Sequence, residues 1–174
     1  ANTRKYIAKA FCELLEAISF TPEGIAGTAT AGIPHATSLA DLLNLPLSYV
    51  RQNNKTHGLC NIIEGLSKNG SYNGAKILLI EDLISTGGSS INACKAIVEA
   101  GGLVPYCFAI FSYGMQKATD AFASLSPVCL PITIITYELM LKEAVNIGYI
   151  KQEDIATLQE WKASPFTWWE NKVH

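Results

Sequence analysis

The chain has 174 residues and a formal charge of −2, because 13 Lys and Arg stand against 15 Asp and Glu. Because acidic and basic residues are nearly equal in number, the chain has no general positive field. This argues against a nucleic-acid partner or an anionic membrane. The length fits one domain over residues 1–174, with enough chain for a substantial core. No apolar run approaches the roughly 20 residues that a membrane-spanning helix needs.

The five cysteines are scattered along the chain, with no CxxC and no paired histidine spacing. This pattern argues against a zinc site and against a disulfide framework. The opening residues ANTRKY do not resemble a signal peptide. We therefore expect a reducing, cytoplasmic location.

The first half of the chain predicts two strands with helices before and between them, followed by polar turns. Apolar residues from Arg4 to Ile18 fall on one face of a helix, and Pro34 suits the first turn of another. The predicted elements are a helix over 4–18, a strand over 24–27, a helix over about 34–43, a strand over 47–51, a loop over 52–61, a short strand over 62–66 and an exposed turn over 67–74.

The second half alternates strands and helices, which indicates an α/β fold: a mostly parallel, Rossmann-like sheet with helices on both faces. The predicted elements are a strand over 77–80, helices over 89–100 and 113–125, strands over 103–111 and 130–136, and closing helices over 137–147 and 152–161. Ligands of such sheets bind outside the carboxyl ends of the strands. The small-residue turns 28–32 and 85–89 are both predicted to lie there.

The most informative segment is KILLIEDLISTGGSS, residues 76–90. Its apolar run over 77–80 is typical of a strand buried on both faces, and two acids, Glu81 and Asp82, end that run. Backbone N–H groups over 85–89 at a helix start suit a phosphate. The residues predicted to hold it are Ser85, Thr86, Gly87, Gly88 and Ser89.

Acids beside a phosphate site make sense if the ligand also offers hydroxyl donors or a developing positive charge, and a phosphorylated ribose offers both. Glu81 and Asp82 would accept hydrogen bonds from the 2′- and 3′-hydroxyls and stabilise charge on the ribosyl carbon. The alternative is a pair of solvated acids beside an ordinary turn. Neither a GxxxxGK[ST] loop nor a GxGxxG fingerprint occurs.

Two further segments suit a pyrophosphate. The polar run from Arg51 to Gly58 carries Lys55 and His57, whose charges would favour a departing pyrophosphate, with Arg51 as the steadier anchor. Taken alone, this run is more typical of a solvated loop. In the turn 28–32 the small side chains, including Thr28, Ala29 and Thr30, would let the backbone approach an anion.

Residues 76–90 resemble the phosphoribosyl-pyrophosphate (PRPP) signature of type I phosphoribosyltransferases. The K-x-H-G loop, between a strand ending in Arg51 and IIEG, makes the chain similar to bacterial orotate phosphoribosyltransferases in particular. The resembling segments cover nearly the whole chain: IAGTATAGIPHATSLADLLNLPLSYVR, KTHG, IIEG, KILLIEDLISTGGSS, AIFSYGMQKA and EDIATLQEWKASP.

The resemblance implies transfer of the 5-phosphoribosyl group from PRPP to orotate, giving orotidine 5′-phosphate and pyrophosphate. It implies Mg²⁺ held mainly by PRPP, and the sequence assigns it no direct protein ligand. Arg51, Lys55 and His57 match the pyrophosphate residues, and Ser85 matches a position that also touches orotate. It further implies a cytoplasmic homodimer in which the loop carrying Lys55 reaches the neighbouring subunit's site.

The sequence departs from the family pattern in three places. Gln52 stands where many members carry a second basic residue, and Ala31 stands where some have Lys. The family also has a further N-terminal segment that roofs the base pocket, and this chain begins inside the following helix. His35 and the tryptophans are expected to be surface, interface or core residues and not ligands.

Three other functions stay open at this point. A purine-salvage phosphoribosyltransferase shares the PRPP signature, although the 6-oxopurine enzymes resemble one another in placing Asp where this chain has Ser85. A non-catalytic PRPP-sensing regulator would need a nucleic-acid surface, and the Lys and Arg residues are not clustered. A purely structural α/β domain would leave the three anion-suited segments unexplained.

Overall fold

A computed structural model describes residues 2–51, 62–66 and 70–170. The described helices and strands alternate along the chain much as the sequence predicts. In chain order they are α1 (Asn2–Ala17), β1 (Gly24–Thr28), α2 (Gly32–Leu43), β2 (Leu47–Val50), β3 (Ile63–Glu64), β4 (Lys76–Ile84), α3 (Gly88–Glu99), β5 (Leu103–Ser112), α4 (Gln116–Ala123), β6 (Leu130–Thr136), α5 (Tyr137–Asn146) and α6 (Asp154–Ala163).

The strands form one sheet in the order β3-β2-β1-β4-β5-β6. All neighbours are parallel except β3, which runs antiparallel to β2. This confirms the predicted α/β fold with a mostly parallel sheet. The central strands β1 and β4 are buried for most of their length, as the apolar run over 77–80 predicts for β4.

Helices cover both faces of the sheet, and each face has its own apolar core. On one face Phe11 of α1 and Leu39 of α2 pack with Leu78 and Ile80 of β4. On the other face residues of α3 and α4 pack with Leu79. The alternation along β4 follows from the pleat, because successive side chains of a strand point to opposite faces.

Helix α4 begins later than predicted, at Gln116 and not at 113. Gly114 has φ of +64° and Met115 is extended, so a right-handed helix cannot run through them. Tyr113 packs instead against Tyr137 and Trp161, with ring centroids 5.8 and 5.5 Å away. Trp161 therefore belongs to an aromatic cluster, in keeping with its predicted packing role.

The sheet changes winding direction between β1 and β4. From β1 the chain passes through α2 to β2 on one side, whereas from β4 it passes through α3 to β5 on the other. Open α/β sheets bind ligands at such a switch point, outside the carboxyl ends of the strands. The turns that follow β1 and β4 are the two small-residue turns singled out in the sequence.

Candidate active site

The acid pair lies inside β4, not at its end. The predicted strand stopped at Ile80, but β4 continues to Ile84 because Leu83 and Ile84 still pair with Phe111 and Ser112 of β5. Apolar periodicity missed this extension, since two acids interrupt the run. The consequence is that the pleat of the strand fixes the direction of both acidic side chains.

Glu81 continues the row of β4 that faces α3, and it is buried, with 4% of its surface exposed. Its Oε2 accepts hydrogen bonds from Ser89 Oγ at 3.0 Å and from Ser90 Oγ at 3.2 Å. Its Oε1 accepts one from the backbone N–H of Asp82 at 3.2 Å. The carboxyl group of Glu81 is thus hydrogen-bonded to the first turn of α3.

This environment raises the pKa of Glu81 from 4.5 to about 7. Burial is the largest cause, because it penalises the charged form, and the neighbouring carboxyl group of Asp82 adds to it. The Ser89 hydroxyl acts in the opposite direction, since it donates to the carboxylate. Glu81 therefore changes charge near neutral pH.

Asp82 follows the other row of β4, which faces α2. It is half-buried, so its carboxyl group is better placed than that of Glu81 to meet a ligand. Asp82 also interacts electrostatically with His35, in the first turn of α2. The two adjacent acids consequently have different surroundings, although the sequence assigned both of them the same role.

The predicted phosphate turn leads directly into α3, one residue earlier than expected. Gly87 has φ of +81°, which glycine adopts without strain, and α3 begins at Gly88 with no capping side chain among the described residues. The first N–H groups of a helix have no partner within the helix, and they carry the positive end of its dipole. Ser85, Thr86 and Ser89 are half-buried around this anion-suited start.

The other turn meets β4 beside the acids. Thr28 is buried and donates its hydroxyl to the carbonyl of Ile80 at 3.1 Å, so its side chain holds the turn to the strand. Ala29 donates its N–H to Val50, and the peptide bond between Ala29 and Thr30 is cis. The structure therefore brings both predicted turns to the same edge of the sheet.

Gly32 allows this close approach. A Cβ on Gly32 would lie 2.6 Å from the Ile80 carbonyl oxygen and 3.4 Å from Cα of Glu81. Any larger residue would push the start of α2 away from β4. The small residues of the turn thus have a packing reason as well as the predicted binding role.

Arg51, predicted to be the last residue of its strand, directly follows β2, and its guanidinium forms an ion pair with Glu64 of β3 at 2.7 Å. This pair orients the side chain, because both groups are partly shielded from solvent. Lys55 and His57, the other predicted pyrophosphate residues, lie outside the described residues, as does Gln52.

Two residues near the site were not predicted to take part. Ser90 is fully buried and reaches Glu81, although the residues predicted to bind phosphate ended at Ser89. His35 is half-buried, and its Nδ1 has no hydrogen-bond partner among the described residues. Burial lowers the pKa of His35, while the nearby Asp82 opposes that shift.

The described part of the chain contains no group of three or more His, Cys, Asp or Glu side chains arranged to hold a metal ion. Within the same residues, none of the helices combines the length and the apolar character required to cross a bilayer.

Comparisons with known proteins agree with this geometry. Residues 2–112 match the family described as phosphoribosyl transferase domain. The orotate phosphoribosyltransferase of Listeria innocua is 44% identical over 168 residues, which cover 96% of this chain and 77% of that protein. The Staphylococcus aureus enzyme of the same name is 49% identical over 141 residues, covering 80% of this chain and 66% of that protein.

Solved structures show the same fold at lower identity. Orotate phosphoribosyltransferase from Aeropyrum pernix aligns with a TM-score of 0.69 at 23% identity, covering 84% of this chain and 76% of that one. An adenine phosphoribosyltransferase aligns with a TM-score of 0.63 at 19% identity, covering 76% of this chain and 79% of that one. Likenesses at these identities concern the fold alone.

Proposed function

The chain belongs to the orotate phosphoribosyltransferase family, and from that premise we propose how its residues act on PRPP. The enzyme transfers the 5-phosphoribosyl group from PRPP to orotate, giving orotidine 5′-phosphate and pyrophosphate in pyrimidine biosynthesis. One observation carries the assignment of the site: the acid pair and the two small-residue turns meet where the sheet changes winding direction.

The 5′-phosphate binds at the start of α3. The backbone amides that follow Ser85, and the hydroxyls of Ser85, Thr86 and Ser89, supply its hydrogen-bond donors. Gly87 supports this role through its positive φ, and at Gly88 a Cβ would meet no atom within 4 Å. The turn is therefore open on the side where a phosphate would sit.

The ribose lies across the acids. Asp82 accepts hydrogen bonds from the ribose 2′- and 3′-hydroxyls, and Glu81 lies deeper in the protein. Both carboxylates favour the positive charge that develops at C1′ as pyrophosphate leaves. Adjacent carboxylates already present in the folded protein require little reorganisation during the reaction, which is the condition for electrostatic catalysis.

The pyrophosphate meets the turn 28–30 on one side and Arg51 on the other. Lys55 and His57, assigned by the sequence alone, add charge to the leaving group in the transition state. Mg²⁺ accompanies PRPP and would be held mainly by its phosphate oxygens and by water, as Mg²⁺ commonly is beside substrate phosphates. The cation would neutralise charge on the pyrophosphate.

Orotate is favoured over a purine base by the sequence relatives, which carry the orotate name at 43–49% identity. The likeness to an adenine phosphoribosyltransferase is one of fold. Ser85 is the residue that we assign to contact with orotate. We also propose a cytoplasmic homodimer in which Lys55 and His57 serve the partner's site.

Product analysis tests this function. The protein is incubated with PRPP, Mg²⁺ and one base at a time, and nucleotide and pyrophosphate are measured. We expect orotidine 5′-phosphate with orotate, and loss of product in Asp82→Asn. Turnover with hypoxanthine or adenine but not orotate would favour the purine-salvage alternative. PRPP binding with a shifted RNA or DNA fragment and no nucleotide would indicate a regulator.

A further inference from the structure

Ser90 has an unusual position for a serine in the first turn of a helix. A serine inside a helix commonly faces solvent or bonds back to the preceding turn. Here the residue is 0% exposed, and its hydroxyl donates to Glu81 Oε2 of a different element at 3.2 Å. Ser89 donates to the same oxygen at 3.0 Å, so two hydroxyls of α3 hold one carboxyl oxygen.

The two serines differ in what else they can reach. Ser89 is half-buried beside the phosphate turn, so its hydroxyl can turn to a bound phosphate. Ser90 has no exposed surface and cannot meet the ligand. A phosphate that drew Ser89 away would leave Ser90 as the hydroxyl on Glu81.

We propose that Ser90 is a positioning residue of the transferase reaction, which through Glu81 joins the phosphate-binding start of α3 to the ribose-binding acids. This inference rests on the proposed function, because it assumes that PRPP spans the two. Its physical basis is that a phosphate seated on α3 and a ribose seated on β4 must keep a fixed separation. A buried hydrogen bond between the two elements maintains that separation.

The same contact affects the charge of Glu81. A hydroxyl that donates to a carboxylate favours its charged form, whereas burial favours the neutral form. Among the described residues, the other titratable groups that act on this cluster are Asp82 on β4 and Cys107 on β5, whose buried thiol interacts with both Glu81 and Ser90. Removing the Ser90 hydroxyl therefore moves the charge change of Glu81 to higher pH.

The experiment measures the pH dependence of PRPP binding and of kcat/KM for PRPP in Ser90→Ala. We expect the acid limb of both profiles to move to higher pH by about half a unit or more. Near pH 7 we expect PRPP affinity to fall about tenfold, as for the loss of one hydrogen bond to a charged group. The KM for orotate should stay unchanged. Ser90→Thr, which retains a hydroxyl, should keep the wild-type profile.

Ser48→Ala is the matched control. Ser48 is also a buried serine, and its hydroxyl lies 2.8 Å from the Tyr72 hydroxyl, away from the acids. It should lose comparable stability without moving either profile. In a Glu81→Gln background, Ser90→Ala should change PRPP affinity by much less than it does alone, because its charged partner is gone.

Unshifted profiles in Ser90→Ala, or the same shift in Ser48→Ala, would overturn the proposal. If the wild-type protein bound PRPP but made no orotidine 5′-phosphate, the proposed function would fail separately, and the binding profile would still decide on Ser90. If it did not bind PRPP at all, both would be overturned.

Discussion

At the scale of single residues, Glu81 and Asp82 illustrate how neighbours in sequence acquire different chemistry. The pleat of β4 directs Glu81 toward two serine hydroxyls of α3, where burial raises its pKa to about 7. Asp82 remains half-buried on the other row. One acid is thus held by the protein, and the other is more available to a ligand.

Glu81→Gln should change how stability depends on pH. In the unfolded chain the carboxyl titrates near 4.5, and in the folded protein near 7. Between these values the folded state binds more protons, so stability is fully present below about 4.5 and is lost as pH rises through about 7. The variant lacks this loss. We therefore expect the unfolding free energy of the variant, relative to that of the wild type, to rise by a few kcal/mol between pH 4.5 and pH 8.

Urea unfolding at several pH values measures that difference directly. Glu99→Gln is the control, because it changes an exposed acid of α3, the helix that hydrogen-bonds Glu81. Its unfolding free energy should depend on pH as that of the wild type does. Equal slopes for wild type and Glu81→Gln would mean that Glu81 does not titrate differently in the folded protein.

The sequence could predict a candidate site, because acids, hydroxyls and glycines in that order suit a phosphorylated ribose. It could not predict that Glu81 would be buried or that Ser90 would contact it. Both depend on β4 continuing past the acids, which results from pairing with β5 and not from local apolar pattern.

At the scale of elements, the close contact of α2 with β4 depends on Gly32. Gly32→Ala would place a methyl group 2.6 Å from the Ile80 carbonyl oxygen, and backbone atoms cannot move aside cheaply. We expect a loss of about 1–3 kcal/mol in unfolding free energy. PRPP affinity should fall with it, because the turn 28–32 moves away from the acids. Thermal melts and calorimetry measure the two effects.

A Gly32→Ala protein as stable as the wild type would contradict this packing. The expected shift of the turn also predicts that added Mg²⁺ and PRPP rescue the melting temperature less in the variant than in the wild type, since ligand stabilisation follows affinity.

Gly88→Ala gives the opposite expectation at the start of α3. No atom lies within 4 Å of the added Cβ, and alanine is a better helix former than glycine, so stability should be unchanged or slightly higher. The methyl group would project beside the amides assigned to the phosphate, and PRPP affinity should drop about tenfold or more. Undiminished PRPP binding would place the phosphate away from this helix start.

The order of helices and strands was predictable from periodicity, and most bounds agree within a few residues. The late start of α4 was not predictable from periodicity. It accompanies the positive φ of Gly114 and the packing of Tyr113 with Tyr137 and Trp161, which are distant in sequence. Helix α6 also begins two residues after its predicted start.

At the scale of the whole molecule, the site is a product of strand order. β1 and β4 are neighbours although α2, β2 and β3 lie between them in sequence, and this pairing brings the two turns together. Local sequence patterns set the elements but not their long-range neighbours. The sequence therefore predicted two anion-suited turns at one edge of the sheet, while the structure was needed to make them adjacent.

Subunit complementation tests the proposed sharing of sites. Lys55→Ala and Asp82→Ala should each be nearly inactive. A mixed dimer would carry one site with both residues intact if Lys55 serves the partner's pocket. Random exchange should then restore about a quarter of wild-type activity. No restoration, with mixed dimers confirmed by native mass spectrometry, would place Lys55 in its own subunit's site.

A crystal structure of the protein with PRPP and Mg²⁺ tests the central claim most directly. We predict that the 5′-phosphate accepts hydrogen bonds from the amides between Ser85 and Ser89 while the ribose diol faces Asp82. Phosphate density at another surface, with these amides still bound to water, would contradict the account.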